Sequence, residues 1–451
     1  MSKDQGQRLS RSVMVIYSLP SLGLGATGLV FSIYLMKFAT DVLLIAPAMM
    51  GGLLAASRLW DAFSDPMAGY WSDRTRLPMG RRRSWMLFAG IPVCIGIIMM
   101  WSPPISLSGI GVVIWMGASL FIYETASTAF IVPHGALGVE LTSSYHERTR
   151  LFAYRHVILA IGLFFGLGAY GVLVDSEDPR GSAFFLSLLG GPIVAGLCLY
   201  AALRLPERSD YQDRGSDSVY RSVADVFRNP HSRILLMVYF VEAFGVASIA
   251  MLVPYVSEYV FGAPELAMAI IASYFVAQLI FTPLWLRLSR QFGKKALFLG
   301  ASMVSFSGFL MLFFATSIDS LVVWIAPPLL GAAGGCAAIV APSIQADVID
   351  WDEYTTGERK EGAYLAVWNF TRKSASAATA LIVGGVLQAT AFAPNTEQTQ
   401  EVQIAIRALI GLLPAFCYLI GIVFFLRFSF NEAEHRAIRE ILDQRKADSA
   451  R

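Results

Sequence analysis

Apolar runs long enough to cross about 30 Å of hydrocarbon recur along the whole of this chain, which leaves few folds open to it. Twelve are read, at approximately 13–38, 46–71, 84–103, 107–132, 152–174, 182–204, 232–260, 264–289, 296–316, 320–345, 362–391 and 404–428. The chain is 55% hydrophobic and 15% charged, with a mean hydropathy of +0.56, more apolar material than a water-soluble core requires. The expectation is an all-α membrane protein with about twelve transmembrane helices. The polar start, Met1 to Ser12, leads into a span too long for a secretory signal, so the first span is expected to be retained.

Basic residues set the orientation. Arg74, Arg76, Arg81, Arg82 and Arg83 follow the second span, and Arg148 and Arg150 follow the fourth. Arg287, Arg290, Lys294 and Lys295 cluster at the end of the eighth, and Arg359 and Lys360 follow the tenth. The alternate loops are poor in Lys and Arg, so both termini are expected in the cytoplasm of a cell (inner or plasma) membrane. Topology thus accounts for the basic residues, and the formal charge of +2 points to no nucleic-acid partner. Cys94, Cys198, Cys336 and Cys417 each sit in a different span and read as small apolar residues.

The one long polar interruption, 205–230, divides the spans six and six. It separates an N-terminal bundle (1–204) from a C-terminal bundle (231–428), with 429–451 as a cytoplasmic tail. The halves echo one another: Gly80-Arg-Arg-Arg83 corresponds to Gly293-Lys-Lys295. Pro133, Glu140, Tyr145 and Glu147-Arg148 correspond to Pro342, Asp347, Tyr354 and Glu358-Arg359. Parallel six-helix repeats place a binding site near the midplane, between two bundles that rock around it. A membrane-embedded enzyme acting on lipids is the rival from another class. Against it, the sequence has no HExxH, no Walker A motif and no grouping of its five histidines.

Charge inside the apolar runs locates the chemistry. Arg58, Asp61 and Asp65 lie at spacings of three and four residues on one face of the second span. An ionised side chain at mid-bilayer costs roughly 2.5–3.5 kcal/mol on insertion scales, so a cation, a basic partner or water has to meet these carboxylates. Two carboxylates one turn apart suit a small cation such as Na+, or a shared proton. Lys373, deep in the eleventh span, is a second buried charge. Glu124 and Thr125 in the fourth span and Arg155 in the fifth are candidate substrate contacts, and Glu242 is a further intramembrane acid. Tyr123 and Trp368 are candidate cavity aromatics. Asp73, Arg74, Arg76 and Arg82 form a candidate conformational latch, salt bridges that bias two states. Gly23-Leu-Gly25-Ala-Thr-Gly28 matches the dinucleotide pattern GxGxxG but lies inside the first span, where it reads as close helix packing, as do Gly162 and Gly166.

Asp61-Ala-Phe-Ser-Asp65-Pro66, continuing through Gly69, Asp73-Arg-Thr-Arg76 and Gly80-Arg-Arg82, resembles the signature of the glycoside-pentoside-hexuronide:cation symporters, the melibiose-permease-like family of the major facilitator superfamily. Asp347, Asp350-Trp-Asp-Glu353-Tyr354, Thr356-Gly357, Glu361-Gly362 and Lys373 are similar to that family's second-half motifs. The resemblance implies the major-facilitator fold, alternating access and cation-coupled transport of a sugar or glycoside.

It further implies that Asp61 and Asp65 hold the coupling ion, Na+ or H+, that Lys373 links ion and substrate sites, and that Arg155 matches the family's helix V arginine. From the residues themselves, Thr125 is expected beside the ion, Arg58 beside Lys373 in coupling, and Glu124, Thr125, Arg155, Tyr123 and Trp368 at the substrate. No other cofactor is implied, and nothing calls for more than a monomer. The family's sugar-binding acids of helices I and IV fall here at Gly25 or Ala26 and at Thr125. Tyr123-Glu124-Thr125 with Phe130-Ile-Val-Pro133 is similar instead to the lysophospholipid-transporting branch, which makes an amphiphile the alternative substrate.

Overall fold

A computed structural model describes residues 8–142, 145–207, 219–357, 360–429 and 432–449. Residues 208–218 of the expected linker, Glu358 and Arg359 of the second repeat echo, and 430–431 and 450–451 of the expected tail lie outside the described residues, as do the side chains of Tyr145 and Arg290. Six helices come first: α1 (Arg11–Val42), α2 (Pro47–Arg74), α3 (Arg81–Trp101), α4 (Ile110–Glu140), α5 (Tyr145–Val174) and α6 (Pro179–Arg204). After the short α7 (Val219–Arg228) come α8 (Pro230–Tyr259), α9 (Leu266–Phe292), α10 (Lys294–Phe313), α11 (Leu321–Thr356), α12 (Glu361–Ala389) and α13 (Gln400–Leu426). The final helix is α14 (Glu432–Ser449). Among the described residues ten helices are long and apolar enough to cross a membrane, and α2 and α12, of similar length, are interrupted by Arg58, Asp61 and Asp65 and by Arg372 and Lys373.

Helices outrun their apolar cores. The fourth span, expected to end near 132, continues to Glu140, and the tenth, expected to end near 345, continues to Thr356. Hydropathy marks only the lipid-immersed length, while an established hydrogen-bond ladder extends into water through polar residues at little cost. The first span likewise runs on to Val42, through a π-helical turn at Phe38–Val42. That turn holds a buried ion pair, Lys37 Nζ to Asp41 Oδ2 at 2.6 Å.

The chain forms two compact units, Met1–Gly215 with Ala380–Gln388, and Ser216–Thr379 with Ala389–Arg451. Within the first, α2 and α3 pack on α4, and α3 packs on α6. Within the second, α9 and α10 pack on α11, and α10 packs on α13, the same pairing repeated. The repeat extends to single side chains. Gly80 (φ +108°) turns the chain into α3 and Gly293 (φ +77°) turns it into α10, backbone angles that glycine adopts without a Cβ clash. The next residue reaches an acid late in the fourth helix of its unit: Arg81 donates to Glu140 at 2.8 Å, and Lys294 donates to Asp347 at 2.6 Å. Arg83 then donates to the carbonyls of Ala202 and Leu203 at the end of α6, both at 2.8 Å. Lys295 donates to those of Leu426 and Phe428 at the end of α13, at 3.2 and 2.5 Å. Cations thus sit on the negative ends of two corresponding helices.

The glycine pattern in α1 is a packing seam. A Cβ on Gly25 would lie 3.1 Å from the Leu159 carbonyl oxygen on α5, and one on Gly166 would lie 2.6 Å from that of Ala26. A Cβ on Gly162 would overlap the Leu22 carbonyl itself, so the backbones touch there. Gly162→Val is expected to destabilise the first unit by about 1–3 kcal/mol, the usual cost of overpacking, seen as a lower midpoint in thermal unfolding in detergent.

Outside the membrane, α7 is fastened to the second unit. Val226 is fully buried against Leu235 and Leu236, and Lys360 Nζ donates to Asp225 Oδ2 at 2.9 Å. That hydrogen bond and the charge of Lys360 hold the Asp225 carboxyl below its ordinary value of 3.8, with Arg228 assisting. A carboxyl depressed in the folded state stabilises docking above its unfolded value and loses that contribution as pH falls through its folded one. Acidification below about pH 4 is therefore expected to speed hydrogen exchange in α7. Lys360→Met should show the faster exchange already at neutral pH.

Candidate functional site

The second helix carries its charges among small side chains. Asp61 is buried, and Pro66 follows Asp65 inside the helix. Proline has no N–H, so the Ala62 carbonyl loses its intrahelical donor and a free backbone acceptor lies beside the acid pair. Facing it on α4 is Thr128, whose hydroxyl lies 2.6 Å from Asp61 Oδ1 and 3.1 Å from Asp65 Oδ1. The Ser64 hydroxyl stands 3.4 Å from that of Thr128 and 3.2 Å from the Asp61 carbonyl. Two carboxylate oxygens and two hydroxyl oxygens therefore share one small volume.

One hydroxyl has one proton, so Thr128 satisfies only one of its two carboxylate neighbours at a time. The two carboxylates and the two hydroxyls together form an all-oxygen donor set, which suits a hard monovalent ion. Among the described residues no group of three or more His, Cys, Asp or Glu side chains has a metal-binding arrangement, so the hydroxyls are needed to complete a coordination shell.

Thr125, expected at the cation, is placed differently. It accepts from the Trp60 indole N–H at 2.9 Å and donates to the Phe121 carbonyl at 2.7 Å. Three residues is most of a helical turn, and that offset gives Thr128 rather than Thr125 to the carboxylates. The sequence gives no local sign of this, because hydroxyls are common in membrane helices and the partners are 67 and 63 residues away.

Arg58 donates to Glu124 Oε1 at 2.9 Å, and its guanidinium lies 4.6 Å from the centre of the Phe31 ring. Glu124 is therefore neutralised within its own unit by a residue of α2. Arg155 on α5 donates to the Ser21 hydroxyl at 3.3 Å, close to the buried Tyr17 and His134, whose rings stack at 4.3 Å. Lys373 is buried on α12, within the second unit.

The two candidate cavity aromatics both pack against other rings. Tyr123 is buried, stacks on Phe31 at 5.8 Å between ring centroids and packs its backbone against Gly96. Trp368 is buried beside Tyr364, 5.6 Å between ring centroids. Both pack within their own units.

At the far end of α2, the proposed latch is larger than its four expected members. Arg82 pairs with Asp73 at 2.7 Å and with Glu140 at 2.8 Å, and Glu140 Oε1 also takes the hydrogen bond from Arg81. Glu207 accepts from the backbone N–H groups of Arg82 and Arg83 at 3.1 and 3.2 Å, satisfying the start of α3. Arg74 stacks on Tyr70 at 3.6 Å, and Arg76 lies beyond the helix end at Thr75.

Twelve long helices in repeated pairings, with an acid pair on the second, define a membrane transporter of the major facilitator type. The chain belongs to the family described as MFS/sugar transport protein, whose model matches residues 16–432. It is 28% identical to the uncharacterized symporter YjmB of Bacillus subtilis, over 99% of this chain and 98% of that protein. It is 22% identical to the sodium-dependent lysophosphatidylcholine symporter 1 of Gallus gallus, over 99% and 92%. Its fold is similar to the crystal structure of a D-xylose-proton symporter, with a TM-score of 0.69, 14% identity and coverage of 93% and 98%.

Proposed function

We propose that this multi-pass membrane protein is a cation-coupled symporter moving a sugar or glycoside by alternating access, and that Asp61 and Asp65 bind the coupling ion, Na+ or H+, with Thr128 and Ser64. The observation that supports this reading is the Thr128 hydroxyl at 2.6 and 3.1 Å from carboxylate oxygens of Asp61 and Asp65, with the Ser64 hydroxyl beside it. Arg58, Glu124 and Arg155 contact the solute, and Lys373 links ion and solute states. The salt bridges around Glu140 hold one conformation. Both termini face the cytoplasm, the chain acts as a monomer, and no covalent chemistry is involved.

A lysolipid is the second reading, favoured by the likeness to the lysophosphatidylcholine symporter and by the absence of acids at Gly25, Ala26 and Thr125. A hydroxyl-rich solute needs fixed acceptors, and sites lacking them discriminate poorly. Uptake into proteoliposomes under an imposed Na+ or H+ gradient, with labelled sugars, uronides and lysolipids offered in turn, tests both. Concentrative uptake of one class identifies the cargo. Turnover of a lipid without any gradient would instead support an enzyme.

A further inference from the structure

A second acid lies in the membrane, away from Asp61 and Asp65. Glu242 is on α8, roughly 18 Å along the axis from Pro230 at 1.5 Å per residue, near the middle of a 30-residue helix. Unlike Glu124, which has Arg58, Glu242 has no hydrogen bond or ion pair among the described residues. The groups that face it are neutral. Tyr239 lies on its own helix, Tyr274 on α9, Cys336 on α11 and Tyr418 on α13, all in electrostatic reach of its carboxyl. The nearby cation is Arg372 of α12, which acts on Tyr239.

Missing side chains shape this surround. A Cβ on Gly245, three residues on from Glu242, would lie 2.8 Å from the Tyr418 ring. One on Gly334 would lie 2.8 Å from the Tyr274 hydroxyl. Two glycines therefore admit two phenols to the neighbourhood of one acid. An isolated carboxylate is expensive in such surroundings, where neutralisation by a proton removes the cost. Phenol hydroxyls suit both forms of the acid, donating to the carboxylate and accepting from the carboxylic acid.

We propose that Glu242 is a proton-binding site of the second unit, separate from the ion site at Asp61 and Asp65, that holds its proton among Tyr274, Tyr418 and Tyr239. It makes the protein respond to pH even where Na+ is the coupling ion. The site is read without any solute, so its test is independent of the transport reading.

Infrared titration of the purified protein in nanodiscs is expected to show a protonated-carboxyl stretching band at neutral pH that fades as pH rises. Glu242→Gln, with unchanged helical content and melting, should lack that band. An identical band and titration in the folded variant would overturn the proposal. Should the variant fail to fold, the wild-type protein supplies the answer through dicyclohexylcarbodiimide, which adds to protonated carboxyls in apolar sites. Modification of the Glu242 peptide at neutral pH, falling as pH rises, supports the site, and an unmodified Glu242 at neutral pH contradicts it.

Discussion

Asp65→Asn is expected to abolish accumulation of solute against its gradient while leaving exchange down the gradient measurable. Asparagine keeps the shape of the side chain and removes one charge from an oxygen set that holds two. Thr128 then faces one carboxylate instead of two, and the oxygen set holds less negative charge with which to bind an ion. Coupling between two ligands is worth about 1–3 kcal/mol in typical proteins, a 5–150-fold effect on affinity, and that factor should fall to one. Thr128→Val is a milder change. It keeps both charges and removes one oxygen, so ion affinity should weaken by about 10- to 150-fold, in line with the roughly 1.5–3 kcal/mol of a hydrogen bond to a charged group. The two variants are compared in proteoliposomes by the steady ratio of internal to external solute at a fixed ion gradient. A mutant that still concentrates solute removes Asp65 from the coupling mechanism.

Glu140→Ala is expected to give the largest loss of stability. One carboxylate oxygen accepts from both Arg81 and Arg82, and all three side chains are less than one-tenth exposed. Deleting the acid leaves two guanidiniums buried with reduced compensation, and breaking a buried pair in this way costs about 3–5 kcal/mol. Asp73 is the contrast, because it meets Arg82 at a similar distance but is 42% exposed. Solvent already screens that contact, so Asp73→Ala should cost about 1 kcal/mol or less. Thermal unfolding in detergent ranks the two, and equal shifts would mean that the buried carboxylate is not the centre of this network.

The architecture was legible because a membrane imposes a length rule that soluble folds lack, and even the charged α2 and α12 announced themselves as apolar runs with a few costly exceptions. The repeat was legible in Gly80 and Gly293, where backbone angles restrict the residue, and in Glu140 and Asp347, which answer the basic residues after those glycines. Asp61 and Asp65 stood out for the same energetic reason. The partners did not. Thr128, Ser64 and Glu207 are ordinary residues that matter through positions fixed by tertiary packing, and Arg58 could be paired with Glu124 only once α2 and α4 were side by side. The packing of Tyr123 on Phe31 and of Trp368 beside Tyr364 was not legible either, because sequence records that a residue is aromatic but not which side of its helix faces a neighbour.

The most direct test of the central claim is the affinity of the purified protein for its solute, found by screening sugars, uronides and lysolipids, with and without Na+ at two pH values. An affinity that rises with Na+ or with protons in the wild type, and that loses this rise in Asp65→Asn, is the predicted result, since linkage makes ion and solute strengthen each other's binding equally. A wild-type affinity indifferent to both ions would contradict it and leave Asp61 and Asp65 with a structural role alone.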